Sequence, residues 1–221
     1  MSAKIVTVFN QKGGVGKTIT SMLLASTLAL RKNKRALVVD MDEQGTAVRW
    51  AALAPDETPF PAAVVSLAQM GGKMHREVRN QIGNYDYIFI DCPPALSSPV
   101  ASSSLLISDL ALIPMVLAPA DLWAVVGAKA LVENARDQNE GLLSRVLPNM
   151  ASKKRRTNIA DVTLKALEPD KSIPLTENWL GNRTVFRECQ AFGCAVQSMS
   201  RSGDAITEVE ALADEVLALL R

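Results

Sequence analysis

Two lysines, Lys12 and Lys17, bracket a glycine cluster in VFNQKGGVGKTITSMLL, residues 8 to 24. Gly13, Gly14 and Gly16 can take dihedrals closed to other residues, so the backbone N–H groups around Val15 can converge on phosphate oxygens. A helix opening at about Lys17 adds the partial positive charge of its N-terminus at the same point. In the G-K-T ending, Lys17 reaches towards the β- and γ-phosphates, the Thr18 hydroxyl suits Mg²⁺, and Ile19 follows on the first turn. The chemistry is the binding of a nucleoside triphosphate as its magnesium complex. That task needs only the second lysine, so Lys12 asks for another.

Carboxylates end two further apolar runs. VVDMDEQG, residues 38 to 45, sets Asp40 and Asp42 at alternate positions, so both side chains project to one side of a strand. YIFIDCPP, residues 87 to 94, runs through apolar strand residues to Asp91. An aspartate there suits a magnesium shell, and equally caps a following helix. Cys92 reads as a small hydrophobe packed behind that strand.

Strands and helices must alternate to hold these groups together. KIVTVF (4–9), RALVVD (35–40), YIFID (87–91) and LALIPMV (110–116) are short, apolar and rich in β-branched residues, as strands buried on both faces are. Helical spacing fills 17–31, about 71–83, about 96–107 and 121–139. SRVLPNM (144–150), SIPL (172–175) and a helix from about 204 to 220 continue the alternation. The expected fold is α/β: one domain over residues 1–221, with a mostly parallel twisted sheet covered by helices on both faces. The stretch APDETPFPAA (54–63) reads as a proline-rich loop inside it.

Composition narrows the function classes. The chain of 221 residues is 48% hydrophobic, enough for a sizeable core. It holds no twenty-residue apolar run and no secretory leader, so neither a membrane span nor export is expected. Three cysteines fit a reducing cytosol, and the spacing of Cys189 and Cys194 matches no zinc pattern. A net charge of +1 means that any nucleic-acid contact must come from a local patch.

The glycine loop departs from the general pattern G-x-x-x-x-G-K-T, because Gln11 stands at the first glycine and Lys12 follows it. In this form, KGGVGKT, it resembles the deviant phosphate loop of the ParA/MinD family, and the resemblance runs from Lys4 to the C-terminal helix. It implies a deviant-Walker P-loop ATPase with ATP and Mg²⁺ as cofactors. It implies that Lys12 crosses a homodimer interface to the partner's nucleotide, coupling assembly to ATP rather than ADP. An ordinary solvated loop lysine is the alternative. The resemblance gives Asp42 the task of orienting the attacking water and a place near the metal, leaves Asp40 nearer the magnesium shell, and makes Asp91 the acid that holds magnesium. Pro119 and Asp121 in PMVLAPADLWA resemble a P-x-D pattern ahead of a helix near the dimer face. Asn149 falls where the family often sets a residue against adenine, or else merely ends its strand.

Branches of the family separate on other features. Division-site regulators of the MinD type carry a basic amphipathic tail for lipid. Here DAITEVEALADEVLALLR has an apolar stripe and an acidic polar side, which reads as a packing helix and not a membrane anchor. The cysteines do not suit an Fe–S cluster of the nitrogenase iron-protein kind. Short partition ATPases without an N-terminal helix-turn-helix fit best, so the expected partners are nucleoid double-stranded DNA, bound without sequence preference, and a small ParB-like or cargo-adaptor protein that stimulates hydrolysis. The candidate DNA contacts are Lys153, Lys154, Arg155 and Arg156 in SKKRRTN, Arg183 and Arg187 in NRTVFRE, and Arg201. The basic run also reads as a solvated turn. The expected location is cytoplasmic, on the nucleoid. A metabolic ligase or kinase of the dethiobiotin-synthetase type is the runner-up.

Overall fold

A computed structural model describes residues 2–94, 98–151, 157–167 and 172–221. Six strands form one sheet: β1 (Lys4–Val8), β2 (Ala36–Asp40), β3 (Ala63–Ser66), β4 (Tyr87–Asp91), β5 (Leu110–Val116) and β6 (Leu143–Asn149). Their order is β3-β2-β4-β1-β5-β6, and every pairing is parallel.

Each central strand feeds two cores, because successive side chains leave a strand on opposite faces. Ile5, Leu37, Ile88 and Ile90 join one apolar layer; Val6, Val38 and Phe89 join the other. The first layer is closed by α3 (Met74–Gln81), α4 (Pro99–Leu105), α5 (Pro119–Arg136) and α6 (Asn158–Leu167). The second is closed by α1 (Lys17–Lys32), α2 (Thr46–Ala52), α7 (Thr184–Phe192) and α8 (Gly203–Leu219). Burial on both faces is why the strands read as continuous apolar runs.

The register sets the site. Asp91 lies beside Val8 of β1 and Asp40 of β2, so the two acids and the entry to the glycine loop share one edge of the sheet. Parallel sheets bind ligands at the carboxyl ends of their strands, and Asp40, Asp91, Asn149 and the glycine loop lie at those ends.

Some segments differ from the sequence expectation. The proline-rich loop runs into β3, a short edge strand that is only partly buried and so lacks a strong apolar signal. SIPL does not extend the sheet as a strand: Leu175 makes a single bridge to Val146, flanked by Val146 N–H donating to Pro174 O and Thr176 N–H to Val146 O. The expected helix near 71–83 is split, with a 3₁₀ turn over Ala68–Lys73 ahead of α3.

α8 is fastened through its acidic side. Glu210 meets Arg31 at 3.3 Å, Asp214 meets Lys32 at 2.7 Å, and Glu208 meets Arg183 at 2.6 Å. Glu215 accepts from the backbone N–H groups of Glu177 and Asn178. The packing role read for this helix is therefore carried by ion pairs as well as by Val209, Leu212 and Val216 in the core. Among the described residues, no helix is long and apolar enough to cross a membrane.

Candidate nucleotide-binding site

The loop between β1 and α1 turns on Gly14 (φ 75°) and Gly16 (φ 89°), both in the left-handed region that favours glycine. Gly13 and Gly14 are exposed, Val15 is buried beneath them, and Thr18 and Ile19 are partly covered on the first turn of α1. Gly16 is the N-cap of α1 and no side chain caps it, so the first N–H groups of the helix remain for an anion.

Lys17 points back into this cradle. Its side chain is buried, and Nζ donates to the Lys12 carbonyl at 3.1 Å. Burial pushes its ammonium below the ordinary value, while Asp91, Cys92 and Asp42 draw it back up. Asp91 lies in the floor, 1% exposed. Among the described residues, none stands in hydrogen-bond geometry to either of its oxygens, although the Thr18 hydroxyl is nearby. Burial pushes its carboxyl up to about 7; the nearby Thr18 hydroxyl and Lys17 temper the rise, and Asp40 and Asp42 add to it. A buried carboxylate with two vacant acceptors calls for a cation. Mg²⁺ prefers hard oxygen ligands, keeps several waters and takes phosphate oxygens as partners, so Thr18 and Asp91 fit it without a protein cage. Cys92, behind them, is buried against Ser104 with its thiol pushed up to about 12 by burial, as a small core hydrophobe should be.

Asp40 and Asp42 do different work. Asp40 is fully buried; Oδ2 accepts from the N–H groups of Ala47 and Val48, and Oδ1 from Asp42 N–H. It therefore holds the N-terminus of α2 and shapes the loop. The sequence reading that set it nearer the magnesium shell missed this structural employment. Asp42 is partly exposed, with Oδ1 accepting from Gln44 N–H at 2.9 Å, and its charge is felt at both Lys17 and Asp91.

Lys12 does not enter its own cradle. Its ammonium lies 2.9 Å from Asp121 Oδ2, on the first turn of α5. Asn10, also buried, orders this corner by accepting from Lys12 N–H and donating to Pro114 O. Neither Asn10 nor the Lys12–Asp121 pair follows from spacing alone, since 109 residues separate the pair's members.

Asn149 is 3% exposed, with Nδ2 donating to Val15 O at 2.7 Å and Oδ1 accepting from Met150 N–H. Its amide thus meets the loop. Arg183, the N-cap of α7, spends its guanidinium on Glu208 and Asp204, which hold its pKa above the ordinary value. Arg187 and Arg201 are exposed, and Arg187 donates to Asn182 Oδ1. The stretch from Lys153 and Lys154 to Arg155 and Arg156 lies outside the described residues.

The family model described as an AAA domain matches residues 3–59 and 51–145. The maintenance of carboxysome distribution protein A of Halothiobacillus neapolitanus is 27% identical over 95% of this chain and 94% of its own length. The chromosome partitioning protein ParA of Myxococcus xanthus is 27% identical over 86% of this chain and 79% of its own. An ATP complex of a Cyanothece McdA variant superposes with a TM-score of 0.79 over 98% of this chain and 97% of that one, at 14% identity, which is a likeness of fold.

Proposed function

The chain belongs to the AAA-domain family as a ParA/MinD-type P-loop ATPase, and from that membership we propose that it is a partition or positioning ATPase. It binds ATP with Mg²⁺, pairs with a second copy around two nucleotides, and holds double-stranded DNA without sequence preference. A small ParB-like or cargo-adaptor protein stimulates hydrolysis, which separates the pair and frees the DNA. The whole chain acts as one ATPase domain in the cytoplasm, on the nucleoid.

The single observation that carries this reading is the divergence of the two loop lysines. Lys17 is buried in its own cradle, whereas Lys12 is held away from that cradle by Asp121, with 43% of its side chain exposed. A cation outside its own site and close to the triphosphate mouth is suited to a neighbour's γ-phosphate.

Lys17 and the loop N–H groups bind and orient the phosphates; Thr18 and Asp91 hold the magnesium. The bound Mg²⁺ supplies neutralisation of phosphate charge. Asp42, the more exposed member of the D-x-D pair, orients the attacking water through its carboxylate. The test is sedimentation with magnesium and a non-hydrolysable ATP mimic. Wild-type protein is expected as a dimer and Lys12→Ala as a monomer; a monomer in both removes the reading.

A further inference from the structure

We infer that Asn149 is a positioning residue of the phosphate loop, its side-chain amide orienting the Val15–Gly16 peptide so that the Gly16 N–H faces the bound phosphates. The inference rests on the reading that this loop holds a triphosphate.

The peptide joining Val15 to Gly16 is planar, and in a trans peptide the C=O and N–H point in opposite directions. No cis peptide occurs among the described residues. Asn149 Nδ2 draws the Val15 carbonyl to itself at 2.7 Å, in buried surroundings, so the Gly16 N–H must point away from Asn149. Gly13 and Gly14, which precede this peptide in the loop, are exposed, so the loop has an open face to which that N–H can turn.

The amide has one sensible orientation. Oδ1 accepts from Met150 N–H at 2.8 Å; a flipped amide would set oxygen against the Val15 carbonyl and nitrogen against an N–H. Gly16 must be glycine for the same reason, beyond its left-handed φ: a Cβ there would run into Asn149 Nδ2.

Asn149 is itself held on both sides. Its register partner in β5 is Val116, and on the other side it bridges to Leu180. Leu180 N–H donates to Pro148 O, and Ala151 N–H donates to Leu180 O. A side chain on so fixed a backbone can hold a flexible glycine loop in one arrangement before ligand arrives. Each amide atom already makes one bond, to Val15 O and from Met150 N–H, and the side chain is 3% exposed, so a base could meet only the second Nδ2–H and the second Oδ1 lone pair of a nearly covered group.

The experiment compares binding of ATP, GTP and inorganic tripolyphosphate to wild type and Asn149→Ala by calorimetry. Loss of a buried hydrogen bond to the loop predicts roughly tenfold weaker binding, by a similar factor for all three ligands. A loss confined to the nucleotides, with tripolyphosphate unaffected, overturns the inference in favour of a base or sugar contact; so does no loss at all. A second measurement needs no variant: in ¹⁵N-labelled wild type, the Gly16 amide resonance is expected to move on adding tripolyphosphate with magnesium, and a stationary resonance overturns the inference. If wild type binds neither ATP nor tripolyphosphate, the functional reading itself falls. Binding that Asn149→Ala leaves intact removes the positioning role alone.

Discussion

The Lys12 ammonium sits 2.9 Å from Asp121 Oδ2, joining a loop cation that is 43% exposed to a carboxylate that is 1% exposed. The other oxygen, Asp121 Oδ1, is buried and has no hydrogen-bond partner among the described residues. Lys12 is therefore the main compensation for a buried charge, and any partner that takes the lysine must outcompete Asp121. In the proposed assembly, this pair would oppose dimerisation until a triphosphate supplied a stronger anion.

Asp121→Asn removes that competition while keeping the shape of the side chain. The concentration of ATP mimic needed for half-dimerisation should fall by about fivefold, in keeping with a charged hydrogen bond that is partly screened. Sedimentation velocity with an ADP control measures it. A higher requirement in the variant would mean that Asp121 aids assembly.

Asp91 gives a pH signature to the nucleotide-free protein. Its folded pKa, about 7, stands above the ordinary value of 3.8, so the folded state binds the proton more tightly than the unfolded chain. Stability from this group is full below about pH 4, declines as pH rises to about 7, and then stays low. Asp40, also raised by burial, acts in the same direction. Thermal melting should fall by several degrees between pH 5 and pH 8, and Asp91→Asn should flatten most of that change while abolishing magnesium-dependent turnover. Magnesium affinity should weaken below pH 7 as protons compete for the same carboxylate. Equal pH dependence in wild type and Asp91→Asn would remove this assignment.

Asp42, to which the proposed function gives the attacking water, also holds a turn, because its Oδ1 accepts from Gln44 N–H. Asp42→Asn keeps an acceptor for that bond and removes the charge; Asp42→Ala removes both. Each should lower the hydrolysis rate by about a hundredfold or more while ATP still binds, leaving a persistent dimer on DNA. Phosphate-release assays and DNA retention read the two halves. Normal turnover in Asp42→Asn would move water positioning to another residue.

The fold was legible where local chemistry and packing agree. The β1 and β4 runs are apolar because both faces are buried, and KGGVGKT needs Gly14 and Gly16 for the left-handed backbone angles that the loop imposes. β3 escaped because an edge strand half in solvent lacks that apolar run. The site was legible as a list of residues, less so as a set of partnerships. Asp40 bonding the N-terminus of α2 and Asp121 taking Lys12 are tertiary choices, made between segments whose sequences carry no mark of each other. Asn149 was placed at the site through family likeness, yet its contact with Val15 depends on how β6 ends beside the loop.

The arginines near α7 divide by what already holds them. Arg183 is engaged by Glu208 at 2.6 Å and Asp204 at 3.3 Å, which fasten α7 to α8, so little of its charge remains for phosphate. Arg183→Ala should lower stability by about 1 kcal/mol, a charged hydrogen bond discounted for partial exposure. Arg187 and Arg201 are exposed, and replacing both with Ala should leave melting unchanged but weaken DNA binding in the ATP state. Each lost phosphate contact reduces the slope of log affinity against log salt by about 0.9, so the double variant should flatten it by nearly two for each protomer that contacts DNA. Replacing Lys153, Lys154, Arg155 and Arg156 together should flatten it further if that run faces DNA. Fluorescence anisotropy at two salt concentrations decides: an unchanged slope in Arg187→Ala/Arg201→Ala moves the DNA face off α7, and a slope lost in Arg183→Ala alone would show that its ion pairs open on DNA.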